Sequence, residues 1–194
     1  MNNCYLDAEA VITFFRMTGR KHIFITGSRG SGKSHLVNNM LKHMSDSFNL
    51  LQSHRTDTPQ VVIKSNLVAD NKEFVIGVPR TSGINPASKG NNMTIIEDGF
   101  INCAIPAIDT HLDTTPERLF VIDELGYLES SCIPFQKAVE KLLDNSHVLA
   151  VIRKQSTEFL NRICNRKDVL VIDIDNTFET VSYTHLTLPT TERV

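Results

Sequence analysis

No cysteine in this chain has a close cysteine neighbour. Cys4, Cys103, Cys132 and Cys164 are widely scattered without a C-x-x-C pair, which argues against a zinc site and suits a reducing compartment. Long hydrophobic runs are also missing; the longest are strand-sized, so no segment is expected to span a bilayer. The N-terminus lacks a basic start followed by an apolar core. No secretory leader is therefore expected, and a cytoplasmic location is. Nor is there an excess of either charge. With 20 Lys and Arg against 22 Asp and Glu, the net charge of −2 gives no support for a general nucleic-acid or membrane-surface role. What is present is ordinary for a globular protein, 41% hydrophobic and 22% charged. A chain of 194 residues suffices for one well-buried α/β domain, expected over residues 1–180, with room for a small insertion.

The stretch around which the rest is organised is residues 22–34, HIFITGSRGSGKS. An apolar strand (Ile23, Phe24, Ile25) runs straight into Gly27, Ser28, Arg29, Gly30, Ser31, Gly32, Lys33 and Ser34. That octapeptide satisfies G-x-x-x-x-G-K-[ST], the phosphate-binding loop. Glycines let the backbone curl so that successive N–H groups point inward at phosphate oxygens. Lys33 supplies a compact positive charge for the β- and γ-phosphates, and the Ser34 hydroxyl suits Mg²⁺. An amphipathic helix carrying Leu36, Val37, Met40, Leu41 and Met44 follows, and its N-terminal dipole adds to the anion site. The expected ligand is a nucleoside triphosphate.

Around this loop the chain alternates strands and helices. Ala8, Val11, Ile12 and Phe15 share one face of a helix over residues 7–17, ended by Thr18 and Gly19. Phe48–Leu51 reads as a short strand. Val61–Ile63 and Phe74–Ile76 are β-type runs separated by the turn-rich residues 68–72, which predicts a hairpin. Residues 81–92, TSGINPASKGNN, read as a surface loop; beside a nucleotide it would serve as a lid, with Arg80 or Lys89 reaching a phosphate.

The second informative stretch is Leu119, Phe120, Val121, Ile122, Asp123 and Glu124. Four apolar residues ending in an acidic pair describe a buried parallel strand with charge at its carboxyl end, where ligands of open α/β sheets sit. Asp123 is expected to hold the Mg²⁺ that Ser34 also ligates, and Glu124 to deprotonate a water for in-line attack on the γ-phosphate. A base for water favours hydrolysis over kinase chemistry. Pro134 then opens a helix with Phe135, Val139, Leu142 and Leu143 as its stripe. Val148–Ile152 is a buried-type strand ending at Arg153, a candidate γ-phosphate sensor. Phe159, Leu160, Ile163 and Cys164 line another helix, and Val169–Ile172 form the final clear strand. The alternation implies a mostly parallel sheet with helices on both faces.

Residues 119–175 resemble the small P-loop nucleoside-triphosphatase family of thermophile and human cancer-related type. The resemblance is carried by Val121-Ile122-Asp123-Glu124-Leu125-Gly126 with Glu129, by Phe135-Gln136-Lys137-Ala138-Val139, by Ile152-Arg153, and by Asn165-Arg166-Lys167-Asp168-Val169. It implies a three-layer RecA-like core of the ASCE type and Mg²⁺-dependent hydrolysis of several nucleoside triphosphates to the diphosphate and phosphate. It also offers Arg166 as a charge-stabilising arginine, with a surface arginine in a basic turn as the alternative. Two departures stand out: Tyr127 occupies a position where the family usually has Lys, and the family's glycine- and arginine-rich hairpin is not recognisable in residues 45–80.

Gly32-Lys33-Ser34-His35-Leu36 and Asp123-Glu124-Leu125-Gly126-Tyr127-Leu128 are also similar to AAA-type helper ATPases of transposition and helicase loading, which act on DNA. Those carry a polar sensor strand and a helical lid, whereas here the corresponding strand runs Leu149–Arg153 and no lid-length segment follows. Nucleic acid is accordingly not an expected partner. Residues 181–194 fit nothing before them and resemble a translated sequencing-adapter tail; no site is expected there.

Overall fold

The computed structural model describes residues 7–44, 47–80 and 93–175. The expectations for residues 81–92, Lys89 among them, and for residues 181–194 lie outside the described residues.

Helix α1 (Ala8–Thr18) starts where the Asp7 carboxylate accepts hydrogen bonds from the backbone N–H groups of Glu9 and Ala10, and it closes at Gly19. Strand β1 (His22–Gly27) leads through the phosphate-loop sequence into α2 (Lys33–Met44). Then come β2 (Phe48–Arg55), β3 (Val61–Ser65), β4 (Phe74–Pro79) and β5 (Met93–Ile95). A continuous helical stretch follows, made of α3 (Glu97–Gly99), a π-helical turn over Phe100–Ala104 and α4 (Ile105–Thr114). The chain then alternates through β6 (Leu119–Leu125), α5 (Ile133–Asn145), β7 (His147–Arg153), α6 (Glu158–Cys164) and β8 (Val169–Asp173).

Among the described residues the strands join one eight-stranded sheet in the order β5-β4-β3-β2-β6-β7-β1-β8. From β2 to β8 the neighbours run parallel, whereas β2, β3, β4 and β5 pair antiparallel. Successive side chains alternate between the two faces. Ile23, Ile25, Val121, Leu149 and Val151 pack with Val11, Ile12, Leu36 and Met40 of α1 and α2. Phe24, Phe120, Ile122, Val148 and Ala150 pack on the other side, against Ile108, Phe135, Leu142 and Phe159 of α4, α5 and α6. Because both faces are covered, the parallel strands read as unbroken apolar runs, which is why they were recognisable. Each fully buried Phe or Ile in these layers contributes about 1.5–3 kcal/mol of transfer free energy.

The mixed α/β architecture, mostly parallel with an antiparallel hairpin region, matches the expectation. The hairpin differs in extent: β3 and β4 pair as predicted, but they continue the main sheet through β2, and β5 adds a further strand. The strand expected at Phe48–Leu51 reaches Arg55. Residues 97–114, which carry no clear pattern in the sequence, form helix. Phe100, Cys103, Ala104, Ala107, Ile108 and His111 are all fully buried along it, a helical period disguised by Pro106. Pro106 sits in the first turn of α4, right after the wider π turn, where its missing N–H costs little.

Candidate active site

Parallel strands deliver all their carboxyl ends to one edge of the sheet, and the site is built there. β1 ends at Gly27, whose φ is 155° and where a Cβ would lie 2.7 Å from Ile174 Cγ1 and 2.9 Å from Ser31 Oγ. No side chain fits. Gly32, at φ 93°, turns the chain into α2, whose first residues are Lys33 and Ser34. Within the loop, Ser31 N–H and Oγ–H both donate to the Ser28 carbonyl, at 3.2 and 2.7 Å. Lys33 is buried, and its Nζ donates to the carbonyls of Gly27 and Ser28 at 2.9 and 2.8 Å. The ammonium is thereby held inside the curl of the loop, beside the α2 N-terminus.

β6 reaches the same edge two strands away, with β7 between it and β1. The register of β6 against β7 is broken between Asp123 and Leu125, a bulge-like irregularity that re-aims side chains at a strand end. Asp123 is half-buried, and Gln52 Nε2 donates to its Oδ2 at 3.4 Å. Burial raises the Asp123 pKa, while the hydrogen bond from Gln52 and the charge of Lys33 act the other way. The Glu124 carboxylate accepts from Arg153 Nε at the end of β7. Beneath them Glu129 is buried; its Oε2 accepts from Gly126 N–H at 2.9 Å and its Oε1 from Ser53 Oγ at 3.1 Å. Burial raises its pKa as well.

Two hollows along this edge share lining residues. A cleft of about 870 Å³ is bounded by residues of the loop, by His35, Arg55 and Glu124, and by Arg153, Lys154 and Gln155. A smaller cavity of about 310 Å³ is bounded by Ser34, Gln52, Asp123, Glu124, Tyr127 and Glu129 among others. Ser34, Arg55, Glu124 and Arg153 line both. A hydroxyl and a carboxylate, Ser34 and Asp123, thus face one polar cavity. Among the described residues no three His, Cys, Asp or Glu side chains gather into a metal cage. Two hard oxygen donors without a cage fit Mg²⁺, which keeps waters and phosphate oxygens for most of its coordination positions.

The family model described as NTPase matches residues 22–180. This chain belongs to the NTPase family. Among curated proteins it is similar to the nucleoside-triphosphatase THEP1 of Thermotoga sp. strain RQ2, 26% identical over 155 residues, covering 79% of this chain and 86% of that one. The THEP1 protein of Thermotoga maritima is 23% identical over 154 residues, with 79% and 86% covered. Among solved structures, THEP1 from the hyperthermophile Aquifex aeolicus superposes with a TM-score of 0.61 at 18% identity, covering 82% of this chain and 96% of its own. A human cancer-related nucleoside triphosphatase gives 0.57 at 19% identity, covering 84% and 97%. At such identities the superpositions speak for the fold, a P-loop NTPase-like sheet.

One candidate of this NTPase-family chain does not come to the edge where the loop lies. Arg166 precedes β8, where Asp168 O accepts from the N–H groups of Lys21 and His22 at the start of β1. The loop opens only at Gly27, five residues and about 17 Å further along β1. Arg166 donates instead to both Asp168 oxygens, at 3.0 and 2.8 Å, and to Asp144 at 2.9 Å. These bonds hold Asp168 down at about 2 and push the Arg166 pKa up. Within one chain Arg166 therefore clasps Asp168 and Asp144 near the amino end of β1 and does not border the hollows at the loop. Arg153 is at the site as expected. Arg80, just past β4, borders neither hollow.

Several residues at the site went unrecognised in the sequence. Asp175 Oδ2 accepts from Ser28 N–H at 2.7 Å and from Ser28 Oγ at 2.6 Å, tying the loop to the end of β8; the Ser28 bonds depress its pKa. Lys154 Nζ in turn bridges Asp173 and Asp175 at 2.8 and 3.1 Å. Gln52, Ser53 and Arg55 come from β2, at its carboxyl end. No local signal marks them; only the pairing of Gln52 with Asp123 across β2 and β6 brings them in.

Proposed function

We propose that this protein binds a nucleoside triphosphate with Mg²⁺ and hydrolyses it to the diphosphate and phosphate. The observation that carries the reading is the meeting of the phosphate-loop lysine, Ser34, Asp123 and Glu124 around two hollows with shared walls at one sheet edge. Membership of the NTPase family and relatives named nucleoside-triphosphatases support the same chemistry.

In this reading the loop amides and Lys33 cradle the β- and γ-phosphates, and Lys33 exchanges its carbonyl partners for phosphate oxygens. Ser34 Oγ and the Asp123 carboxylate would hold Mg²⁺, which when bound neutralises charge on the phosphate oxygens. Glu124 accepts a proton from a water as that water's oxygen attacks the γ-phosphorus. The bond from the γ-phosphorus to the bridging oxygen breaks, and the electron pair leaves on the diphosphate. Arg153 orients the Glu124 carboxylate through the bond they share.

The test is steady-state phosphate release with ATP, GTP, CTP and UTP plus Mg²⁺, with and without DNA. Hydrolysis of several nucleotides, indifferent to DNA, is expected. ATP-selective turnover that rises with DNA would replace this reading by the helper-ATPase one. Lys33→Ala should weaken triphosphate binding itself; equal affinity in that variant counts against the loop assignment.

A further inference from the structure

We infer that Arg55 is the arginine that meets the terminal phosphate, supplied by the same chain that holds the nucleotide. The inference rests on the hydrolase reading above. β2 runs parallel to β6 with Gln52 opposite Asp123, so Arg55 stands three residues, about 10 Å, further toward the carboxyl edge. Its backbone is pinned there. Arg55 pairs with Val61 of β3, Thr56 N–H donates to Gln60 O, and the Thr56 hydroxyl donates to Thr58 O at 2.8 Å.

Position alone does not single it out, because other cations border the cleft. Lys33 is held by loop carbonyls, Arg153 by Glu124, and Lys154 by Asp173 and Asp175. Arg29 lies on the loop and borders only the larger cleft. Arg55 lines both hollows, at the junction that Ser34 and Glu124 also line. Its side chain makes no hydrogen bond or ion pair with another described residue. A guanidinium that borders a cleft, with no carboxylate partner among the described residues, fits an anion that arrives from outside. Transfer of a γ-phosphoryl group spreads negative charge over its equatorial oxygens, and a planar two-pronged donor matches two of them at once. The active site is then complete in one chain.

The experiment compares wild type with Arg55→Ala and Arg55→Lys in two measurements: phosphate release, and the ratio of triphosphate to diphosphate affinity read with fluorescent nucleotides. Because the side chain is exposed and has no partner among the described residues, both variants should melt at the wild-type temperature. Arg55→Ala should lose turnover by roughly 10³-fold, and Arg55→Lys should recover little of it. Diphosphate affinity should stay constant while the triphosphate preference shrinks. Turnover of Arg55→Ala within about threefold of wild type overturns the inference. So does recovery of activity on mixing Arg55→Ala with Glu124→Gln, since that would mean one copy lends its arginine to another. Absence of phosphate release from wild type would sink the hydrolase reading instead, and the affinity ratio then decides Arg55: an unchanged ratio in Arg55→Ala removes it from the phosphate.

Discussion

At the amino ends of the parallel strands Asn49, His111 and Ser146 close on one another; at the carboxyl ends Asp123, Glu124 and Arg55 border a cleft. Asn49 Nδ2 donates to His111 Nδ1 at 2.8 Å and to Thr115 Oγ1 at 2.8 Å. His111 Nε2 bonds Ser146 Oγ at 2.6 Å, and that hydroxyl donates onward to Pro116 O. Beside them His22 Nδ1 accepts from Val148 N–H, with Asp168 and Arg166 outside it. At the other end, among the described residues, the Asp123 carboxylate has one long bond, the Glu124 carboxylate a single partner in Arg153, and the Arg55 side chain none. The difference follows from strand polarity. The carboxyl edge is where α2 opens, and the N–H groups of a helix's first turn lack intrahelical acceptors, an environment that favours an anionic ligand. The amino edge has no such field, and Asn49, His111 and Ser146 are satisfied within the fold, while His22 Nε2 is buried without a hydrogen-bond partner among the described residues.

This contrast predicts that substitutions at the two ends separate cleanly into effects on turnover and effects on stability. The largest effect belongs to Glu124→Gln: turnover falls by roughly 10²–10⁴-fold, while nucleotide binding with Mg²⁺ and the melting temperature hold. Unchanged phosphate release in that variant would remove Glu124 from its role. Next comes acid. Burial lowers the His22 pKa to about 4, so the folded protein keeps this ring neutral while the unfolded chain protonates it below about 6.5. Stability from neutral His22 is therefore complete above pH 6.5 and lost as pH falls toward 4, by roughly 3 kcal/mol in all. Urea denaturation at pH 7 and pH 5 should show a steeper loss for wild type than for His22→Leu; parallel behaviour would contradict the buried neutral ring.

His111→Ala should cost about 2 kcal/mol by stranding Asn49 and Ser146 inside the protein, with kcat per folded molecule unaltered. A fall in kcat would mean that the two ends communicate. The smallest effect is expected from Arg166→Ala. Its partly exposed clasp on Asp168 and Asp144 is worth about 1 kcal/mol or less, and phosphate release should continue at the wild-type rate. Loss of turnover there would restore Arg166 to the catalytic list and break the comparison.

Much of the fold was legible because its signals are short. The apolar runs at 23–25, 119–122 and 148–152 are doubly buried strands, and the stripe Phe135, Val139, Leu142 and Leu143 is one helix face. The π turn and Pro106 blurred that period in 97–114, and the helix escaped notice. The place of Arg166 was hidden for a different reason. It sits in a motif contiguous with Asp168, but the motif leads into β8 at the amino edge, away from the loop.

Taken alone, the amino-acid sequence determined what a local stretch can do: a glycine-rich curl with Lys33 takes phosphate, and an apolar strand ending in Asp123 and Glu124 presents acid at a strand end. These properties depend on backbone freedom and side-chain chemistry within about ten residues. Only the tertiary structure decided which groups share an edge. The strand order placed β7 between β1 and β6, set Arg153 against Glu124, and brought Arg55 beside Ser34. It sent Arg166 to the far end. Such meetings are set by how strands distant in the chain pair and bury their faces, and no local pattern records that.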